Sequence, residues 1–345
     1  MSAAPYRVAV VGATGAVGTT MLAILREREF PASEIVPFAS ERSAGRELDG
    51  GMTVRALEDG DAIAGFDVAL FSCGSGPSRE WAPRFAAAGA VVVDNSSAWR
   101  MEPDVPLVVA EVNPQALDDH GGLVANPNCS TMQMVVALKP VHDAVGVERV
   151  VVSTYQSVSG TGQRAVDELA DQSHAMLHEM EPPAPEVYPH RIANNVLPQV
   201  EVFRDGDDYT TEERKLINET HKILGDDTIR VSPTCARVPV PVGHSQSINL
   251  RTRDALSPDR CRELLTAAPG VTVVDDPADG VYPLASDATG RDDVLVGRIR
   301  PDPSEARTLN LWVVSDNLRK GAALNAVQLA ELLAERNLIG AAARA

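Results

Sequence analysis

Cys129 is preceded by Asn126-Pro127-Asn128, followed by Ser130-Thr131, and opens a run with helical spacing. A thiol at a helix start feels the positive end of the helix, which lowers its pKa and raises its thiolate fraction. The same free N–H groups can hold an oxyanion. A sulfur so placed attacks carbonyl carbon and forms a thiohemiacetal or thioester. The competing reading is a buried structural cysteine, the commoner fate of a free thiol. Cys73, in Phe71-Ser72-Cys73-Gly74-Ser75-Gly76, is the rival nucleophile, but it fits better as part of a loop lining a cofactor crevice. Cys235 and Cys261 read as structural, and the wide spacing of all four cysteines offers neither a disulfide framework nor a zinc knuckle.

A second segment, Arg237-Val238-Pro239-Val240-Pro241-Val242-Gly243-His244, could serve that sulfur. A histidine near a thiol can take its proton and later return it. Read as extended chain, the segment puts Arg237 and His244 near opposite ends of one strand and its turn. His174 and His178 have i,i+4 spacing, but no third ligand accompanies them, so they read as a helix face and no metal is expected.

Gly12-Ala13-Thr14-Gly15-Ala16-Val17-Gly18 lies between an apolar run and an amphipathic one. Glycines there let the chain turn sharply and approach a pyrophosphate, and the following helix aims its N–H groups at the phosphates. The end of the second strand sorts NAD from NADP. An acidic residue there accepts from ribose hydroxyls. This chain has Ser40-Glu41-Arg42-Ser43, a guanidinium between hydroxyls that suits a 2′-phosphate, with Glu41 expected to point away. NADP is the expected cofactor.

These residues need a frame. Strand-like runs at Arg7–Val11, Ile35–Ala39, Val68–Ser72, Val91–Asp94 and Leu107–Ala110 alternate with helix-like Thr14–Arg28 and Ser78–Ala88. That alternation predicts a doubly wound parallel sheet, hence an α/β fold. Beyond Asn128 the pattern changes. Helices are predicted over Ser130–Ala144, interrupted late by Pro140, and over Thr161–Met180 and Thr211–Leu224. Strands are predicted over Val150–Tyr155, Thr228–Val242, Gln246–Arg251, Val294–Ile299 and Leu309–Val314, with Glu181–His190 a surface connection. These make a mixed sheet flanked by helices. A last helix, Lys320–Asn337, is expected to dock back on the first domain. The expected division is 1–127, 128–316 and 317–345.

With 345 residues, two domains are expected. A net charge of −17 argues against nucleic acid and anionic membranes as partners, and demands a local cationic cluster if the substrate is an anion. No apolar run approaches a bilayer span, and the N-terminus lacks a signal core, so a cytoplasmic protein is expected.

Taken together, the chain resembles the aspartate-β-semialdehyde dehydrogenase family. The matching pieces are Gly12–Gly18, Ser40–Ser43, Asn95-Ser96-Ser97-Ala98-Trp99-Arg100, Asn126–Thr131, Tyr155-Gln156-Ser157-Val158-Ser159-Gly160, Arg237–His244 and Asp316-Asn317-Leu318-Arg319-Lys320-Gly321. They run through nearly the whole chain in the family's order.

The resemblance implies an N-terminal Rossmann-like NADP domain and a second α+β domain of mixed sheet for catalysis and dimerisation, with the C-terminal helix returning to the first. It implies reduction of L-β-aspartyl phosphate by NADPH to aspartate semialdehyde and phosphate through a cysteine thioester, in aspartate-family amino-acid biosynthesis. By match, Cys129 is the nucleophile, His244 the acid/base, and Gln156 orients the substrate. Arg237 takes the substrate α-carboxylate, Arg100 and Lys215 the phosphate, and Glu212 and Asn128 complete the substrate contacts. Gly12, Thr14, Gly15, Ala16 and Val17 hold the cofactor phosphates, Ser40, Arg42 and Ser43 the 2′-phosphate, and Ser159, Gly160 and Asn317 the nicotinamide end. A homodimer or homotetramer is implied. The alternatives are a related acyl-phosphate reductase, such as N-acetyl-γ-glutamyl-phosphate reductase, or an NADP-binding regulatory protein without catalysis.

Overall fold

The computed structural model describes residues 5–57 and 61–340. They fall into two compact units: one takes the chain up to Asn128 together with its return from Ala322, the other runs from Cys129 to Gly321.

The first unit contains β1 (Tyr6–Val11), α1 (Ala16–Glu27), β2 (Ala32–Ala39), a small hairpin of β3 (Glu47–Leu48) and β4 (Met52–Thr53), then β5 (Arg55–Ala56), β6 (Val68–Phe71), α2 (Ser75–Ala87), β7 (Val91–Asp94) and β8 (Leu123–Ala125). Six strands form a parallel sheet in the order β5-β2-β1-β6-β7-β8. Successive residues of a strand point to opposite faces, and both faces of this sheet are covered. Val8 and Val10 therefore join one apolar cluster with Met21, Ile24 and Leu25 of α1, while Ala9 and Val11 join another with Ala82 and Phe85 of α2. The strand order reverses at β1, so the loops after β1 and β6 open a crevice at the carboxyl ends of the strands, where such sheets bind ligands.

The strand expected over Leu107–Ala110 is absent. Leu107 makes a single bridge to Ala125, and side chains serve the backbone that follows. Val109 N–H donates to Asn113 Oδ1 (2.9 Å), Ala110 N–H donates to Asn325 Oδ1 (3.0 Å), and Asn325 Nδ2 donates to Val108 O (2.9 Å). The segment is buried and apolar without a ladder, because an asparagine more than 200 positions away replaces the ladder partner. The sixth strand is instead β8, which the sequence reading passed over.

The second unit contains α3 (Cys129–Val145), β9 (Val147–Gln156), α4 (Gln163–Leu177), α5 (Thr211–Leu224), β10 (Arg230–Arg237), β11 (His244–Thr252), α6 (Pro258–Thr266), β12 (Val271–Val273), α7 (Ala285–Ala288), β13 (Val294–Pro301) and β14 (Thr308–Ser315). Its mixed sheet has the order β10-β9-β11-β14-β13-β12, with the two outer pairs parallel and the inner pairs antiparallel. Helix α5 has the predicted ends because both carry local signals. Thr210 and Glu213 form a reciprocal capping box, and Gly225 terminates the helix in the left-handed region. Helix α3 departs from expectation by continuing through Pro140. The ring removes one N–H donor, but the helix is held by burial of nearly every side chain from Ser130 to Leu138. The strand expected over 228–242 is shorter: β10 stops at Arg237, and the prolines and Gly243 carry the chain over to β11.

After one π-helical turn, Arg319–Ala323, the chain enters α8 (Leu324–Glu335), which belongs to the first unit. Leu324, Val327, Leu329, Ala330 and Leu333 complete the apolar cluster begun by α1 and β1. No helix among the described residues is long and apolar enough to cross a membrane.

Candidate active site

In the first unit the glycine loop follows β1. A Cβ on Gly12 would lie 2.2 Å from Ser72 O, so the loops after β1 and β6 meet only because position 12 lacks a side chain. A Cβ on Gly18 would lie 2.2 Å from Gly12 O, which lets α1 pack against the end of its strand. Gly15 precedes α1 in extended geometry with no side-chain cap over the helix start, and a Cβ there would meet only Gly12 O, at 3.5 Å. Thr14, Gly15, Ala16 and Val17 thus form a backbone cradle that fits a pyrophosphate. At the end of β2, Ser40, Glu41 and Arg42 are exposed and Ser43 is half-buried, on one 3-10 turn.

The loop after β7 holds Arg100 under cover. Its Nε donates to Asn126 O (3.0 Å) and its Nη2 to Asn95 O (2.7 Å). Asp94 braces that loop: it accepts from Ser96 N–H (2.6 Å) and from Ser78 Oγ, which in turn accepts from Trp99 Nε1 (2.8 Å). Burial raises the Asp94 carboxyl above its ordinary value, against the opposing pull of these hydrogen bonds. Cys73 lies nearby. Burial, and then the Asp94 carboxylate, push its thiol up to about 12, so it is protonated near neutral pH and a poor nucleophile. Asn126, at the end of β8, is held by Asn325, whose Nδ2 donates to its Oδ1 (2.6 Å), and Asn128 is buried just before Cys129.

In the second unit the sheet register gathers the chemistry. Gln156 ends β9 and pairs in parallel with Arg237, which ends β10. His244 begins β11 opposite Ser315, the last residue of β14. Residues distant in sequence therefore line one end of one sheet. Arg237 and His244 do not share a strand, as the sequence reading had it: β9 lies between β10 and β11.

Helix α3 starts at Cys129 and is tied to the same strands. Gln246 Nε2 donates to Ser130 O (2.8 Å), Gln133 Nε2 to His244 O (3.2 Å), and Ser315 Oγ to Gln133 Oε1 (2.7 Å). The half-buried Cys129 thus sits at a helix N-terminus pinned to the strand that carries the imidazole. Gly321, in the π-helical turn, packs directly on it: a Cβ there would lie 2.8 Å from Cys129 Cβ and 3.3 Å from its Cα.

His244 is fully buried, and burial, with the Arg237 guanidinium second, depresses its pKa well below the ordinary histidine value. Its Nδ1 accepts from Ser157 N–H (3.1 Å), and its Nε2 is buried without a hydrogen-bond partner among the described residues. Asn317 braces Ser157, Ser159 and Gly243. Its Oδ1 accepts from Ser157 Oγ (2.9 Å) and Gly243 N–H (2.9 Å), and its Nδ2 donates to Ser159 Oγ (3.0 Å).

Arg237 is buried, and Nη1 donates to Ser157 O (2.7 Å). Its Nε is buried with no partner among the described residues, and Tyr188 lies 5.9 Å from the guanidinium carbon, anchored by Thr161 Oγ1 (2.9 Å). A cation desolvated with a donor left over is prepared for an anion. Gln156 Nε2 donates to Glu212 Oε1 (3.0 Å), and Glu212 Oε2 accepts from Lys215 (3.3 Å), which also contacts Glu201. Glu212 is therefore the hub between Gln156 and Lys215. Gly160 abuts the centre: a Cβ there would lie 3.1 Å from Arg237 Nη1 and 3.4 Å from His244 Nε2.

The sequence reading assigned no role to Gln133, Gln246, Ser315, Tyr188 or Glu201, and gave Ser157, Gly243 and Gly321 only as parts of motifs. A glutamine in an apolar helix, like Gln133, is the one local sign that was available.

Family models give the class first. Residues 7–120 match the semialdehyde dehydrogenase NAD-binding domain and residues 138–320 the semialdehyde dehydrogenase dimerisation domain. The chain is 54% identical over 339 residues to aspartate-semialdehyde dehydrogenase of Aquifex aeolicus (strain VF5), covering 97% of this chain and 99% of that one. To the Legionella pneumophila enzyme it is 51% identical, covering 96% of each chain. The solved structure of aspartate semialdehyde dehydrogenase II from Vibrio cholerae complexed with ASA superposes with a TM-score of 0.92 at 47% identity, covering 96% of this chain and 98% of that one. The chain belongs to the aspartate-semialdehyde dehydrogenase family.

Proposed function

We propose that this protein reduces L-β-aspartyl phosphate to L-aspartate-β-semialdehyde with NADPH, releasing phosphate, through a thioester on Cys129. The observation that carries the proposal is the row Arg237–Gln156–His244 at one sheet end, with the N-terminus of α3 pinned to it.

The Cys129 sulfur attacks the acyl carbon, and N–H groups at the start of α3 stabilise the tetrahedral oxyanion. His244 serves the same centre from the start of β11. Arg237 offers a planar guanidinium fork to the substrate α-carboxylate. Gln156, its amide oriented by Glu212, positions the acyl group. Arg100 and Lys215 are the cations assigned to the phosphate, and Glu212 and Asn128 border the substrate. For Lys215 the incoming phosphate exchanges with the exposed Glu201 carboxylate.

The cradle at Gly12–Val17 holds the dinucleotide, Arg42 with Ser40 and Ser43 takes the 2′-phosphate of NADP, and Ser159, Gly160 and Asn317 border the nicotinamide. When bound, the cofactor supplies the hydride that reduces the thioester. The assembly proposed is a homodimer or a homotetramer built from it, consistent with the dimerisation-domain match. The proposed location is the cytoplasm, in keeping with four unbridged cysteines.

The test is formation of NADPH from NADP⁺ and aspartate semialdehyde, with and without phosphate, run beside Cys129→Ser. Phosphate-dependent turnover lost in the variant is expected. Turnover independent of phosphate, or retained in the variant, refutes the thioester route.

A further inference from the structure

We propose that residues 186–197 form a strap that positions Arg237 for the substrate carboxylate, and that Glu168 of α4 is a positioning residue of that site, acting through Tyr188. The inference rests on the role assigned to Arg237 above and adds what holds that side chain in place.

The chain between α4 and α5 has no helix or strand of its own over these positions. Peptide N–H groups without a ladder need other acceptors. Two side chains of α4 supply them. Glu168 Oε2 accepts from Glu186 N–H (2.7 Å) and Val187 N–H (2.8 Å), and Gln172 Oε1 accepts from Ile192 N–H (3.1 Å) and Ala193 N–H (3.3 Å). Four positions apart, the two lie on one face of the helix. Tyr188, Ile192 and Leu197 of the strap pack with Val158 and Leu169 in one apolar cluster. The latch carries a cost, because Glu168 Oε1 is buried with no partner among the described residues.

Both ends of the strap reach Arg237. Strand β10 is at the edge of its sheet, so the outward N–H and C=O of Arg237 have no neighbouring strand. Leu197 takes that place: its N–H donates to Arg237 O (2.9 Å), and Arg237 N–H donates to Leu197 O (2.8 Å). At the other end Tyr188, next to the latched peptide of Val187, has its ring centre 5.9 Å from the guanidinium carbon. The Tyr188 hydroxyl meets Thr161 Oγ1 (2.9 Å), one residue beyond Gly160, where a Cβ would lie 3.1 Å from Arg237 Nη1. One end of the strap thus fixes the backbone of Arg237, and the other bounds its guanidinium. A forked contact with a carboxylate depends on orientation as well as charge. Lys215, the cation assigned to the phosphate, is held instead by Glu212 and Glu201, outside the strap. Loosening the strap should therefore affect one substrate and spare the other.

The test is steady-state kinetics of the full-length protein, with aspartate semialdehyde and phosphate varied in turn and Tm followed in parallel. Glu168→Ala is expected to raise the KM for semialdehyde about five- to tenfold and to leave kcat and the KM for phosphate within about twofold of wild type. Glu168→Gln keeps an accepting oxygen and should restore the wild-type KM. Tyr188→Ala should show the same signature as Glu168→Ala, and combining the two should add little, as for residues that act in series. An unchanged semialdehyde KM in Glu168→Ala, equal rises in both KM values, or additive effects of the pair overturns the proposal.

A second reading needs no turnover. In protein labelled with ¹⁵N-arginine, the buried Nε–H of Arg237, identified by its loss in Arg237→Lys, should exchange with solvent faster in Glu168→Ala than in wild type, and at the wild-type rate in Glu168→Gln. Equal rates in Glu168→Ala and wild type overturn the strap. A wild-type protein without phosphate-dependent NADPH formation would refute the assigned function and leave this exchange rate to decide whether the strap holds Arg237.

Discussion

Gly321→Ala is the most searching perturbation of the nucleophile that leaves every reactive group in place. The added methyl would lie 2.8 Å from Cys129 Cβ, about 0.7 Å closer than the ~3.5 Å at which two carbons sit comfortably. The obstacle is a Cβ beside its own backbone and not the tip of a flexible side chain, so Cys129 or the π-helical turn must move. Cys129 has little freedom to yield, because the next residue accepts from Gln246 and Gln133 is bonded one turn further on. Most of a displacement of roughly 0.5–1 Å therefore reaches the sulfur or the turn behind it. Misplacement by about 1 Å costs on the order of 100-fold in rate. Overpacking of this size costs about 1–3 kcal/mol of stability, which for a large domain lowers Tm by several degrees. The assay pairs kcat/KM for aspartate semialdehyde and phosphate with NADPH binding by fluorescence and with Tm. The expected result is a fall in kcat/KM of about 100-fold, unchanged NADPH affinity and a modest loss of Tm. Wild-type kcat/KM in a folded Gly321→Ala protein would refute the claim that this glycine sets the position of the thiol.

Other outcomes follow from the same geometry. Arg237→Lys keeps the charge but loses the fork, and should raise the KM for semialdehyde roughly 10- to 100-fold while the KM for phosphate stays constant, as steady-state kinetics will read. Lys215→Ala should do the reverse, raising the KM for phosphate by about tenfold or more; equal effects on both substrates would remove its assigned role. Arg42→Ala should weaken NADPH binding by about 10-fold and leave NADH binding nearly unchanged in parallel titrations, since only the former carries the 2′-phosphate. His244 is held neutral in the fold, so as pH falls through the ordinary histidine range the unfolded chain binds a proton that the native chain refuses. Its contribution to stability declines in that direction. Between pH 7.5 and 5.5 the wild type should therefore lose more Tm than His244→Gln; an equal loss would place the depressed pKa in doubt.

The parts of the molecule legible in the sequence were those specified by local signals. Helix α5 was bounded correctly because Thr210, Glu213 and Gly225 act within one turn of their own helix. The glycine loop was legible because its spacing and its strand–helix context are local. Leu107–Ala110 was misread because an apolar β-branched run looks the same whether its backbone bonds go to a neighbouring strand or to Asn113 and Asn325. Pro140 was overrated as a helix breaker because the compensating burial of α3 is tertiary. In the site, the chemistry-bearing types at Cys129, Arg237 and His244 stood out, but their arrangement did not. The residue order 237–244 suggested one strand, and only the sheet order reveals that β9 intervenes. The residues that brace the site, Ser157 through its peptide and Gln133 and Gln246 through their amides, carry no reactive group, so nothing local assigned them a role beyond the motif around Ser157 and the oddity of a glutamine at 133 in an apolar helix.

Synthesis order gives the return of α8 a further meaning. A ribosome delivers residues up to Asn128 long before Leu324, Val327, Leu329 and Leu333, yet those late side chains fill the same cluster as Val8, Val10, Met21 and Leu25. The nascent sheet must wait, one flank unroofed, while nearly two hundred residues of the other unit emerge and fold. Truncation just short of α8 would leave that flank open permanently, turning a nucleotide-binding scaffold into a sticky fragment fit for chaperones or proteases.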